Sequence, residues 1–128
     1  MTVFVETDFL IALVKDSDWL KQRAETVLEE RAVVTSPFSY LELLIIRERH
    51  EYDYVRLFAN MLELVPVRTD DEHQIVLKAV HYYEEGMTPF DSFHAALAET
   101  HGLPILSSDK AYEAVGPDRL PLEPDTSE

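Results

Sequence analysis

The sequence has no cysteine. That excludes disulfides, thiolate metal sites and a cysteine nucleophile, and it suits a reducing compartment. Glycine is scarce, three in 128 residues, and no Gly-rich loop exists to cradle a nucleoside triphosphate. No apolar run approaches the length of a membrane span. The first residues lack the basic-then-apolar layout of a secretory signal. A soluble, cytoplasmic protein with no membrane partner is therefore expected. Positive charge is the other shortage. Eleven Lys and Arg stand against 25 Asp and Glu, a net charge of −14. Nucleic-acid affinity needs cations at phosphates. Either no nucleic acid binds, or the few basic residues are concentrated locally.

What is present is a core. Hydrophobic residues make up 46% of the chain, enough for one domain over residues 1–122. Residues 123–128 form an acidic tail expected to be disordered. Val3 to Thr7 is expected as a strand buried on both faces, running into Glu6-Thr7-Asp8. A helix follows, and its continuation to Arg31, capped by Ser17 or Asp18, turns Trp19, Leu20, Ala24, Val27 and Leu28 inward. Ala32 to Thr35 is a second strand. Ser36-Pro37 opens a helix to about His50, with Phe38, Leu41, Leu44 and Ile45 on one side. Another helix starts at Asp53. Leu64 to Val67 is expected as a third strand, shortened by its proline. Thr69-Asp70-Asp71-Glu72 is a capping signature for a helix ending near Gly86. Thr88-Pro89 caps a helix to Thr100. Leu103 to Leu106 is a fourth strand, Lys110 to Val115 a short helix, and Leu120 to Leu122 a candidate edge strand. Strands alternating with helices predict a three-layer α/β/α domain with a short, mostly parallel sheet of four to five strands.

Ligands of such sheets gather beyond the carboxyl ends of the strands, and acids fall there. Glu6 and Asp8 leave the first strand, Asp109 leaves the fourth, Glu42 lies inside the helix after the second, and Asp91 opens the Thr88-Pro89 helix. Each has a plainer reading. Asp91 and Asp109 sit where acids cap helices, and Glu42 could lie at a boundary. Yet Glu42 is flanked by Leu41, Leu43, Leu44 and Ile45, and a buried charge is costly unless paired or bound to metal. Carboxylates without cysteine favour hard cations, Mg2+ or Mn2+ before zinc. Such ions suit phosphoryl chemistry. The residues alone thus lead to a metal-dependent hydrolase of phosphate esters.

Taken together, these stretches resemble the PIN-domain ribonucleases, and within them the VapC-type toxins. The most specific part is Pro89-Phe90-Asp91-Ser92-Phe93-His94-Ala95-Ala96-Leu97-Ala98 followed by Gly102-Leu103-Pro104-Ile105-Leu106-Ser107-Ser108-Asp109. The resemblance spans residues 3 to 122. It implies an Mg2+- or Mn2+-dependent endoribonuclease that hydrolyses RNA phosphodiesters with metal-activated water. It also implies a small antitoxin protein as inhibitor, and a homodimer formed through helices after the second strand. Glu42, Asp91 and Asp109 match the family's second, third and fourth acids, and Ser107 stands where a Thr or Ser supports the last. The opening departs from the family's Asp-Thr/Ser-Asn/Ser. Glu6 takes the place of the first Asp, and Asp8 the place of a neutral residue. If the strand persists, both share a face. Arg47, Arg49, His50 and Arg56 cluster after Glu42; Arg47, Arg49 and Arg56, together with His94, are the candidates for contacts with RNA. Two rival readings remain. One is a degenerate PIN or receiver-like module that binds without catalysis. The other is a haloacid-dehalogenase-type phosphatase, suggested by the two acids around Thr7 and weakened by the lack of a suitable Lys.

Overall fold

The computed structural model describes residues 1–15, 18–46, 54–68 and 70–124. Four strands form one parallel sheet: β1 (Thr2–Val5), β2 (Ala32–Val34), β3 (Ile105–Ser107) and β4 (Arg119–Pro121). Their order is β2-β1-β3-β4. Val3 pairs with Val33, Val5 with Leu106, and Leu106 with Leu120. Among the described residues six α-helices surround the sheet: α1 (Thr7–Val14), α2 (Lys21–Glu30), α3 (Pro37–Ile46), α4 (Tyr54–Leu64), α5 (Glu72–Glu84) and α6 (Pro89–Thr100). A 3-10 helix, Lys110–Ala114, links β3 to β4.

The period-two geometry of β1 divides the core into two layers. Val3 and Val5 join Leu106, Leu120 and Leu122 on the side covered by α1, α2 and α4. Phe4 and Ile105 face the other side, against Ile75, Ala79 and Tyr82 of α5 and the alanines of α6. Val3, Phe4 and Val5 are all fully buried, as expected of a central parallel strand. The three-layer α/β/α arrangement expected from the sequence is the one observed. No helix among the described residues is long and apolar enough to cross a membrane.

Several expected details are corrected. β1 stops at Val5, because Glu6 accepts the Asp8 N–H and caps α1. Leu64 to Val67 is not a strand. α4 runs through Leu64, and Val67 makes a single parallel bridge to Thr35. Pro66 has no N–H to extend a ladder, so only its carbonyl is used, accepting from Thr35 N at 2.9 Å. Trp19 is 68% exposed. Leu20 N donates to Asp18 Oδ1, and the apolar stripe of α2 is Leu20, Ala24, Val27 and Leu28 without Trp19. Ahead of α5, Asp71 occupies the cap position in left-handed conformation, φ 69°, with no side-chain capping bond. Thr69 and the start of the helix expected at Asp53 lie outside the described residues. In α3 the buried residues are Ser39, Tyr40 and Leu43, while Leu41, Leu44 and Ile45 face outward. Glu123 is ion-paired to Arg119, and residues 125–128 lie outside the described residues.

Candidate metal centre

β1 and β3 lie side by side, and the chain leaves them in opposite directions, β1 toward β2 and β3 toward β4. This is the switch point where a parallel sheet opens a crevice beyond its carboxyl ends. Four chain segments meet there. Glu6 follows β1 directly, and its Oε1 accepts from Asp8 N at 3.2 Å. Asp8 sits in the first turn of α1, where free N–H groups favour negative charge. Ser107, the last residue of β3, places its hydroxyl 3.3 Å from both Glu6 Oε1 and Asp8 Oδ2. Ser108 adds its backbone N–H at 2.8 Å and its hydroxyl at 2.6 Å, both donated to Asp8 Oδ2. The other oxygen, Asp8 Oδ1, is buried without a hydrogen-bond partner among the described residues.

Asp91 enters from α6. Its N–H donates to the Thr88 hydroxyl at 3.3 Å, which is the N-cap bond of that helix. Its Oδ1 accepts from the Tyr112 hydroxyl at 3.0 Å, and that hydroxyl is also 3.5 Å from Glu6 Oε2. Asp109 is exposed at the rim, where its Oδ1 accepts from Ala111 N and caps the 3-10 helix. Glu42 reaches in from α3. Its Oε1 accepts from the Thr7 hydroxyl and lies 3.2 Å from His94 Nε2. His94 is fully buried, with the rings of Phe4 and Phe90 against it, and its Nδ1 has no partner among the described residues. Donor atoms of Glu6, Glu42 and His94 all lie within 4.8 Å of one another.

The electrostatics are those of crowded acids. Burial, then the hydrogen bond and charge of Asp8, and the charge of Asp91 raise the Glu6 carboxyl well above its usual range. Burial also acts upward on Glu42, but the hydrogen bonds from His94 and Thr7 outweigh it and leave that carboxyl below its usual value. Burial and the charges of Glu6, Asp91 and Asp109 drive the Tyr112 phenol far upward. Tyr112 is thus held as a proton donor to acids. Glu6, Asp8 and Asp91 are held by hydroxyls and backbone N–H groups, and Glu42 by a hydroxyl and an imidazole. An orphaned buried oxygen on Asp8, a disfavoured charge on Glu6 and an all-oxygen carboxylate set with one imidazole at its edge fit a hard divalent cation.

The sequence pointed to Glu6, Asp8, Glu42, Asp91, Asp109 and Ser107. The structure brings Glu6, Asp8, Asp91 and Ser107 into direct or shared contact, sets Glu42 beside them through Thr7, and leaves Asp109 at the rim. Glu6 and Asp8 share the site as helix cap and first-turn residue, not as neighbours on one strand face. His94 was a candidate for touching RNA. Its burial closes it to surface contact and turns it toward Glu42. Arg56 is exposed on α4, and Arg47, Arg49 and His50 lie outside the described residues. Tyr112, Thr7 and Ser108 escaped the sequence reading. The only signals were positional, Tyr112 three residues after Asp109 and Thr7 between two acids.

A family model of the PIN domain matches residues 3–116. No curated protein matches the sequence. Among solved structures, a toxin–antitoxin complex from Klebsiella pneumoniae superposes with a TM-score of 0.74 at 17% identity, over 94% of this chain and 98% of that one. DNA-bound VapBC from Salmonella typhimurium gives 0.69 at 17% identity, over 93% and 96%. VapC20 from Mycobacterium tuberculosis, a sarcin–ricin loop cleaving toxin, gives 0.64 at 21% identity, over 88% and 93%.

Proposed function

The chain belongs to the PIN domain family, and from that premise we propose that it is a divalent-cation-dependent endoribonuclease of the VapC toxin kind. The observation that carries the proposal is the carboxylate cluster at the switch point, with Asp8 Oδ1 buried and unpartnered beside a buried Glu6. Glu6, Asp8, Glu42 and Asp91 would hold the ion, Mg2+ or Mn2+, and Asp109 would close the rim. Such an ion supplies the positive charge that acidifies water and offsets charge developing on a phosphodiester. The chain's own residues do the positioning. Ser107 and Ser108 orient Asp8, Tyr112 orients Asp91 and Glu6, and Thr7 and His94 orient Glu42. Tyr112 keeps its proton and serves only as a donor.

The solved structures that share this fold support two companions, and the exposed apolar residues of α3 and α4 support a third. RNA is the substrate, with a structured loop as the class suggested by the sarcin–ricin loop cleaving relative. A small antitoxin protein is the inhibitor, by analogy with the toxin–antitoxin complexes. A second copy of the chain is the third. Leu41, Leu44 and Ile45 of α3, with Val55, Leu62 and Leu64 of α4, are exposed apolar residues that a homodimer would cover.

The test uses purified, EDTA-stripped protein on structured RNAs. Cleavage is expected on adding Mn2+ or Mg2+, and is expected to vanish in Asp91→Asn. Equal cleavage by Asp91→Asn would place the chemistry elsewhere. No cleavage with metal present would favour a PIN module that binds without catalysis, consistent with the unusual Glu6.

A further inference from the structure

Positive charge is scarce in this chain, and the fold gathers much of it in one place. Four of the eleven Lys and Arg, namely Arg23, Arg31, Lys110 and Arg119, line a groove of about 840 Å3 between α2 and the β3–β4 side of the sheet. Glu113 and Glu123 share its wall, so four cations face two carboxylates. Arg119 bridges both acids, at 2.9 Å each. Arg23 and Arg31 form no ion pair with another described residue. The groove's surplus positive charge therefore stands on Arg23, Arg31 and Lys110.

One end of the groove adjoins the end of β3 and the segment after it, whose residues 107–109 reach the acids. Arg119 Nη1 donates to the Ser107 carbonyl at 2.7 Å, and the hydroxyl of the same serine serves Glu6 and Asp8. Lys110 follows Asp109 at the rim.

We propose that this groove seats the sugar–phosphate backbone of the RNA that runs into the acid cluster, a proposal that rests on the ribonuclease reading above. A chain of net charge −14 repels RNA over most of its surface, and only a local cationic strip can hold a phosphate backbone. Arg23 stands in the first turn of α2 and Arg31 is its C-cap, so the length of the helix, roughly 12 Å at the helical rise, separates the two. They can therefore meet different phosphates of one strand. Arginine forks match phosphate oxygens, and Leu120 lines the same groove. An acidic peptide would suit the same cations, and the test separates it from RNA.

The test is fluorescence anisotropy with a labelled stem–loop RNA of about twenty nucleotides, in EDTA so that it stays intact. The double variant Arg23→Gln, Arg31→Gln is expected to raise Kd on the order of tenfold and to reduce the slope of log K against log salt by about 1.4 to 1.8. The pair Arg68→Gln, Lys78→Gln removes the same net charge outside the groove and is expected to change Kd less than about twofold. Equal effects from the two pairs would overturn the groove and leave only net charge. A groove variant that loses binding to polyglutamate while keeping RNA affinity would assign the groove to an acidic protein segment instead. If the wild type cleaves RNA and the groove variant binds and cleaves like it, the groove fails alone. If the wild type neither binds nor cleaves RNA with metal, the ribonuclease reading fails and the groove falls with it.

Discussion

Glu6 is an acid that folding buries to 7% exposure, with Asp8 and Asp91 adding to the cost of its charge. Its folded carboxyl lies well above the ordinary 4.5, so the folded state binds the extra proton. Its contribution to stability is fully present below about pH 4.5 and is lost as pH rises from there through the raised folded value. The metal-free protein should therefore lose thermal stability along that rise, while Glu6→Gln should be flatter with pH and more stable near neutrality. Melting curves with and without Mn2+ check this. Mn2+ at about a hundred times its Kd should stabilise the wild type by about 2.7 kcal/mol and the variant far less. A Glu6→Gln variant no more stable than wild type at neutral pH would contradict the account. Tyr112 tests the support around the acids. Tyr112→Phe removes the bond to Asp91 and leaves the ring in place, so Mn2+ affinity should fall about 10- to 100-fold, at a stability change of about 1 kcal/mol. Titration calorimetry reads the first and denaturant melts the second. The acids could be picked out from the sequence because carboxylates among apolar residues are conspicuous. Tyr112 and Thr7 could not, since a buried tyrosine and a threonine are ordinary core residues until their hydroxyls meet the carboxylates.

At the scale of elements, α6 shows local chemistry and site geometry coinciding. Thr88 caps it through Asp91 N, and the Ser92 hydroxyl donates back to the Thr88 carbonyl at 2.7 Å. Thr88→Ala should cost about 1 kcal/mol of stability. It should also weaken cleavage, because the lost bond orients a site acid. An activity assay beside a denaturant melt separates the two effects; unchanged activity at the lower stability would show that Asp91 is placed by packing alone. Thr88-Pro89 was readable in advance because capping is a local matter. The end of β1 was not, since Val5-Glu6-Thr7 suits strand continuation until the Glu6 side chain finds Asp8 N. Leu64 to Val67 failed as a strand for a related reason: its apolar run serves a helix end, and its proline allows only one bridge. For α3 the sequence groups Phe38, Leu41, Leu44 and Ile45 on one side, and the structure buries Ser39, Tyr40 and Leu43 and leaves Leu41, Leu44 and Ile45 exposed.

For the whole molecule, that exposed side of α3 bears on assembly. Leu44→Glu with Ile45→Glu places charge in the proposed dimer face and should convert a dimer to a monomer, read by light scattering after size exclusion. A wild type already monomeric at micromolar concentration would sink the dimer. The sequence by itself determined the fold class, the buried central strand and most helices, and it singled out the candidate acids, because periodicity, capping and the cost of buried charge act over short stretches. The tertiary structure alone decided the rest. It set strand order β2-β1-β3-β4, and so put residues 6, 8, 42, 91 and 107 at one crevice. It turned His94 inward to Glu42 and drew Arg23, Arg31, Lys110 and Arg119 into one groove. The stretch that opens the site, Glu6-Thr7-Asp8, shows the division plainly. Its two charges are visible in sequence, but their partners lie up to 106 residues away, and only packing brings such partners within reach.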